Sequence, residues 1–107
     1  MTATQTLVNV YAKRVQDTLQ EAYNFRPEGE RPLVEVEVGR KYYKVVADMR
    51  GQRSVHSFVD CLTGDVFKPE GWAKPAKGAR YNVLAGMGTL LASVDPYGFY
   101  LYKKGPK

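Results

Sequence analysis

One cysteine, one histidine and one tryptophan occur in the 107 residues. With Cys61 alone, no disulfide can form within the chain. One histidine and one cysteine also fall short of the four ligands usual in a structural zinc site. No apolar run approaches the ~20 residues needed to span a bilayer. Met1 to Asn9 lacks a basic region followed by an apolar one, so no secretory leader is read there. No glycine pattern of a phosphate loop or dinucleotide site occurs, and Gly86-Met87-Gly88 is only G-x-G within an apolar stretch. These absences predict a cytoplasmic protein with no membrane span, no metal site and no cofactor.

Catalysis is equally poorly supplied. Nucleophilic chemistry needs a base within hydrogen-bond reach of the nucleophile. On a regular strand His56 and Cys61, an odd number of residues apart, point to opposite faces. Free cysteine is usually a small hydrophobe. The expectation is therefore a non-enzymatic protein with no catalytic residues.

Aromatics and positive charge are what the sequence has in quantity. Eight tyrosines and four phenylalanines help a small domain close its core. The net charge of +5 is unevenly spread. Residues 1–38 hold 4 basic side chains (Lys13, Arg14, Arg26, Arg31) against 6 acidic ones, and residues 39–107 hold 12 against 5. The second part is therefore at +7, and a one-signed surface of that kind steers polyanions.

Periodicity predicts a single α+β domain spanning 1–107. Val8, Tyr11, Ala12, Val15, Leu19, Ala22 and Tyr23 form an apolar stripe, so residues 1–26 read as a helix over Thr4 to Phe25. Thr4 or Thr6 would cap it, and Arg26-Pro27 would stop it. The stripe is expected to pack on a sheet, although Val8, Val15 and Leu19 also offer a contact for a homo-oligomer. Residues 33–68 read as four antiparallel strands: Leu33 to Val38, Lys41 to Ala47, Arg53 to Asp60, and Val66-Phe67. In the first, Val34, Val36 and Val38 share one face and Glu35 and Glu37 the other. In the third, regular alternation puts His56 with Phe58, and Val55, Ser57 and Val59 opposite. Residues 69–81 read as an ordered basic loop anchored by Trp72. Residues 82–102 would supply a second, shorter helix from Asn82 to Ser93, then a terminal strand or packed segment from Tyr97 to Tyr102. Residues 103–107 are expected to be a frayed basic tail. The predicted architecture is an antiparallel sheet of four to five strands with an N-terminal helix and a shorter C-terminal one.

Two basic clusters carry the functional expectation. Arg40, Lys41, Lys44, Arg50 and Arg53 interleave with Tyr42 and Tyr43 around the second strand. Alternation gives Tyr43, Val45 and Ala47 to the core and leaves Tyr42 and Lys44 on the other face, beside His56 and Phe58. Rings and cations on one sheet face are how several single-strand binders hold bases and phosphates. The alternative is that this face is covered and its aromatics are core. The second cluster is Lys68, Lys74, Lys77 and Arg80 around Trp72, on a backbone restrained by proline and glycine. Lys77, Gly78 and Arg80 would lie at the start of the second helix and form an anion site there.

The runs Ser54-Val55-His56-Ser57-Phe58-Val59-Asp60, Thr63 to Lys68 and Trp72 to Arg80 resemble a group of short uncharacterised bacteriophage proteins. The similarity includes the lysine- and tyrosine-bearing strand Lys41 to Val46 and covers about residues 40–84. It implies a viral origin and a host-cell cytoplasm, and it supplies no catalytic residues. The combined expectation is a sequence-nonspecific nucleic-acid-binding protein. Its contacts are Lys41, Tyr42, Lys44, Arg53, Phe58, Lys68, Trp72, Lys74, Lys77 and Arg80. An acidic host protein is the alternative partner, and a virion component the third reading.

Overall fold

The computed structural model describes residues 2–102, so the expected tail at 103–107 lies outside the described residues. Helix α1 runs Ala3–Ala22. Its cap is Thr2 rather than Thr4 or Thr6: the Thr2 hydroxyl accepts from the Gln5 N–H at 3.1 Å. It also ends before Phe25. Arg31 explains the early stop, because its guanidinium donates to the Asn24 and Arg26 carbonyls and holds that stretch as a turn.

Five antiparallel strands form the main sheet, each hydrogen-bonded to the next in chain order. They are β1 (Leu33–Val38), β2 (Tyr42–Met49), β3 (Gln52–Asp60), β4 (Asp65–Phe67) and, later in the chain, β7 (Tyr81–Asn82). Arg50 and Gly51 join β2 to β3 with positive φ at both positions (55° and 87°), as a two-residue turn matched to strand twist requires. The Asp60 carboxylate accepts from the Leu62 and Thr63 N–H groups and turns β3 into β4. Edge strand β1 is partly sealed by α1: Gln16 accepts from the Val34 N–H and Gln20 donates to the Pro32 carbonyl.

One face of the sheet packs on α1. The core joins Val8, Tyr11, Val15 and Leu19 to Tyr43, Val45, Val59 and Val66, and to Val83, Leu90, Tyr100 and Leu101 from the last third of the chain. Val8, Val15 and Leu19 are buried there, so they cannot form the subunit contact the stripe alone would allow.

The segment expected to be a loop has strands of its own. β5 (Pro69–Gly71) and β6 (Lys74–Pro75) make a small hairpin with Trp72 at its tip, and the segment ends in β7. The second helix begins late. Asn82 belongs to β7, and its side chain accepts from the Leu84 and Ala85 N–H groups to close a turn. Helix α2 covers only Met87–Ser93. The Tyr97 to Tyr102 stretch is no strand: Asp95 accepts from the N–H groups of Tyr97, Phe99 and Tyr100 and winds a 3-10 turn over Phe99–Tyr102.

β3 departs most from regular alternation. Val45 pairs with Ser57 and Val46 with Val55, which leaves His56 as an extra residue. The bulge sends Val55 to the outer face with Phe58, and His56 to the inner side with Ser57. His56 and Phe58 therefore do not share a face. Inside, Ser57 Oγ lies 2.8 Å from Tyr11 Oη, Tyr11 Oη 2.6 Å from Tyr100 Oη, and Tyr100 Oη 2.8 Å from His56 Nε2. Each hydroxyl hydrogen finds an acceptor only if Ser57 donates to Tyr11, Tyr11 to Tyr100 and Tyr100 to Nε2. The His56 proton then sits on Nδ1. Burial pushes Tyr11 up to about 12 and raises Tyr100 as well, so both phenols stay protonated donors. Burial likewise pulls His56 down to about 4, partly opposed by Asp95.

Two outcomes follow from this chain of hydroxyls. Tyr11→Phe leaves Ser57 and Tyr100 each one partner short, and urea unfolding should show a loss of about 1–3 kcal/mol. A change within about 0.5 kcal/mol, as at an inert surface site, would remove the chain from the stability argument. His56 is neutral when folded and protonates near its ordinary 6.5 when unfolded. Its contribution is thus complete above pH 6.5 and lost as pH falls toward 4, by at most about 3 kcal/mol. The urea midpoint of His56→Gln should fall less steeply than wild type across that window. Equal slopes would mean His56 is charged in the fold.

Candidate nucleic-acid interface

The outer sheet face carries Glu35 and Glu37 from β1, Tyr42, Lys44 and Val46 from β2, Arg53, Val55 and Phe58 from β3, and Phe67 from β4. Pairing register puts these side chains together, since each strand gives its valine- or tyrosine-rich alternate set to α1. The β5–β6 hairpin leans over this face. Trp72 lies with its ring centroid 4.3 Å from Lys44 Nζ and 5.6 Å from the Arg53 guanidinium carbon. Each cation–π contact of this kind is worth about 0.5–2 kcal/mol. Trp72 keeps 47% of its surface exposed, so it anchors the hairpin and still presents a ring.

Carboxylates interrupt the positive charge. Arg53 bonds Glu37 at 2.6 Å and also pairs with Glu35, and Glu37 raises its pKa further. Lys44 Nζ lies 3.9 Å from Glu37. Lys74 pairs with Glu70 at 3.1 Å. Exposed pairs of this sort add little stability, yet each neutralises a cation that a polyanion would otherwise meet.

The ten expected contacts thus separate. Lys41, Tyr42 and Lys44 converge. They line a groove of about 260 Å³ between the β1–β2 turn and the hairpin, with Arg40, Glu37, Phe58 and Ala73. Lys41 Nζ sits 5.4 Å over the Tyr42 ring, and Tyr42 meets Phe58 and Phe67 edge-on. Three cations stand against one carboxylate in the lining of the groove. Arg53 and Trp72 border it. Phe58 is only 2% exposed, so it is a floor for the groove and cannot stack on a base.

The rest of the second cluster does not join them. Arg80 Nε donates to the Leu101 carbonyl at 2.9 Å and straps the C-terminal turn to the sheet edge. It is not at a helix start, because α2 begins seven residues later, and the anion site expected at Lys77, Gly78 and Arg80 does not form. Lys77 is exposed in the turn before β7, away from the groove lining. Lys68 lies with Nζ 4.7 Å from the Tyr102 ring.

That last contact points to residues the sequence reading did not select. Tyr97, Phe99 and Tyr102 are 60%, 70% and 55% exposed. The Tyr97 and Phe99 rings lie 5.9 Å apart. Reading Tyr97 to Tyr102 as a strand or packed segment hid them. The available signal was Asp95-Pro96 followed by Gly98, which is turn chemistry.

His56 and Cys61 do not meet. His56 Nε2 is taken by Tyr100, and the Cys61 thiol points to the Gly39 carbonyl at 3.7 Å. Burial, with Asp60 adding to it, raises the thiol pKa and keeps it a poor nucleophile. Among the described residues no helix is long and apolar enough to cross a membrane.

No curated protein and no solved structure matches the chain. The sequence model of a family of unknown function, DUF7717, matches residues 1–103, and the chain belongs to that family.

Proposed function

We propose that this is a non-catalytic, phage-encoded protein that binds nucleic acid without sequence preference in the host cytoplasm. The observation that carries the reading is the convergence of Arg40, Lys41, Lys44 and Tyr42 on one groove, with the half-exposed Trp72 against Lys44 at its border. The cations would contact phosphates, and the rings would offer stacking surfaces that any base can use. Single strands suit the groove better than duplex, because stacking needs bases that are not already paired.

Binding should be measured by quenching of Trp72, the lone tryptophan, with single-stranded DNA and RNA at several salt concentrations. Three phosphate contacts on a single strand imply a slope of log affinity against log salt of about −2. Arg40→Ala and Lys41→Ala should each weaken binding and reduce that slope by about 0.7. Lys77→Ala should leave both unchanged. No quenching and no gel shift with single- or double-stranded DNA or RNA at low salt would end this reading.

Val38 supports a second partner class. It is 62% exposed and lines the same groove, and an apolar rim beside free cations also fits an acidic protein segment. Capture of a host protein that survives nuclease treatment and is lost in Lys41→Glu would favour that partner.

A further inference from the structure

A second concavity of about 200 Å³ opens where β5, the β2–β3 hairpin and the C-terminal turn meet. Its walls are flat: the rings of Pro32, Pro69 and Pro96, with Tyr97 and Tyr102. His56 also lines it. No Asp, Glu, Lys or Arg does, so a charged group entering it would lose hydration without gaining an opposite charge. It is smaller than the ~300–1,000 Å³ of a typical drug-sized site, which limits the occupant to about one ring system.

Gln52, Ser54 and His56 supply the cleft's polar side chains. In the order that gives every hydroxyl hydrogen an acceptor, His56 Nε2 accepts from Tyr100 and Nδ1 carries the hydrogen, and Nδ1 has no bond to any described residue. That edge of the ring faces Gly98, where an added Cβ would lie 3.4 Å from His56 Cε1 and 3.8 Å from Nδ1. Gly98 lines the cleft too, so an absent side chain leaves the donor open to it. Lys68, held over Tyr102, puts a cation near the rim. Ser54, Val55 and Pro69 line both this cleft and the hollow under Trp72, which makes the two neighbours.

We infer that this cleft is a nucleobase site, with His56 Nδ1 donating to a ring nitrogen or carbonyl oxygen and Tyr97 and Tyr102 flanking the ring. The choice of a nucleobase among planar uncharged rings rests on the nucleic-acid reading above. Lys68 would meet the phosphate joined to that base.

His56 and Trp72 are each unique in the sequence, so imidazole NMR signals report the cleft and tryptophan fluorescence reports the groove. The full chain is titrated with adenosine, guanosine, cytidine and uridine, with a homopolymeric oligonucleotide, and with N-acetyltyrosinamide. The expected result is saturable movement of the His56 signals by at least one nucleoside and by the oligonucleotide of the same base. Tyr97→Ala and Tyr102→Ala, both at exposed positions, should keep the circular dichroism of the wild type. They should weaken that binding by about 5- to 100-fold, the usual worth of a stacked ring. His56→Phe, followed by the ring signals of the tyrosines because its imidazole is gone, should abolish it. Trp72 quenching by the oligonucleotide without any movement of His56 would overturn the base site and leave the strand reading intact. Nucleoside binding without oligonucleotide binding would keep the site for free nucleosides and remove the strand. Equal response to N-acetyltyrosinamide would overturn it in favour of an aromatic side chain.

Discussion

The buried run of hydroxyls from Ser57 through Tyr11 and Tyr100 to His56 ties together three parts of the chain that are far apart in sequence. It joins α1 to β3 and β3 to the C-terminal turn, and a fully satisfied polar network in a core favours one packing over near alternatives. The network exists only because β3 is bulged at His56. A regular strand would send either His56 or Ser57 to the outer face. The same slip moves Val55 outward, beside Phe58, and so sets the apolar patch on which the Trp72 hairpin rests. One inserted residue therefore determines what both faces of the sheet present.

Charge on the outer face is used mostly within the molecule. Glu35 and Glu37 hold Arg53, Glu37 also approaches Lys44, and both cations lie against Trp72. These contacts are individually small, but together they fix the hairpin over the sheet and so shape the groove wall. What remains for an external anion is chiefly Arg40 and Lys41, at the β1–β2 turn where no carboxylate comes within ion-pairing distance among the described residues. The imbalance of +7 in the second part of the sequence thus overstates the local field of any one surface. Its effect on association would come from a few side chains at one rim rather than from a uniformly positive face.

The layered α+β arrangement was legible because its signals are local. The α1 stripe, the valine alternation of β1 and the Tyr43, Val45, Ala47 set of β2 each repeat within one element. The bulge was not legible, since nothing in Ser54 to Asp60 breaks the pattern of a strand. The second helix was expected to start at Asn82, whose side chain instead closes a turn, and with Gly86 as its cap it starts only at Met87. β5 and β6 are two or three residues long, too short for alternation to register. The neutralisation of Arg53 and Lys44 could have been read. If the valines of β1 and the tyrosine set of β2 both face α1, then Glu35 and Glu37 must share the other face with Lys44. Charges were counted along the chain, whereas the sheet pairs them across it.

The C-terminal turn shows how local geometry divides aromatic residues between core and surface. A 3-10 turn brings residues three apart onto one side, so Phe99 and Tyr102 point out together while Tyr100 and Leu101 go in. Asp95 fixes the winding through three backbone N–H groups, and Arg80 fixes the far end through the Leu101 carbonyl. The exposed rings are therefore carried on backbone held at both ends. Rings held in this way give up less freedom on meeting a ligand than rings on a loose loop. A fold that needed only core from Tyr100 and Leu101 would be equally stable with polar residues at 97, 99 and 102. Tyr97 and Tyr102 line the cleft, whereas Phe99 lies against Tyr97 outside its lining.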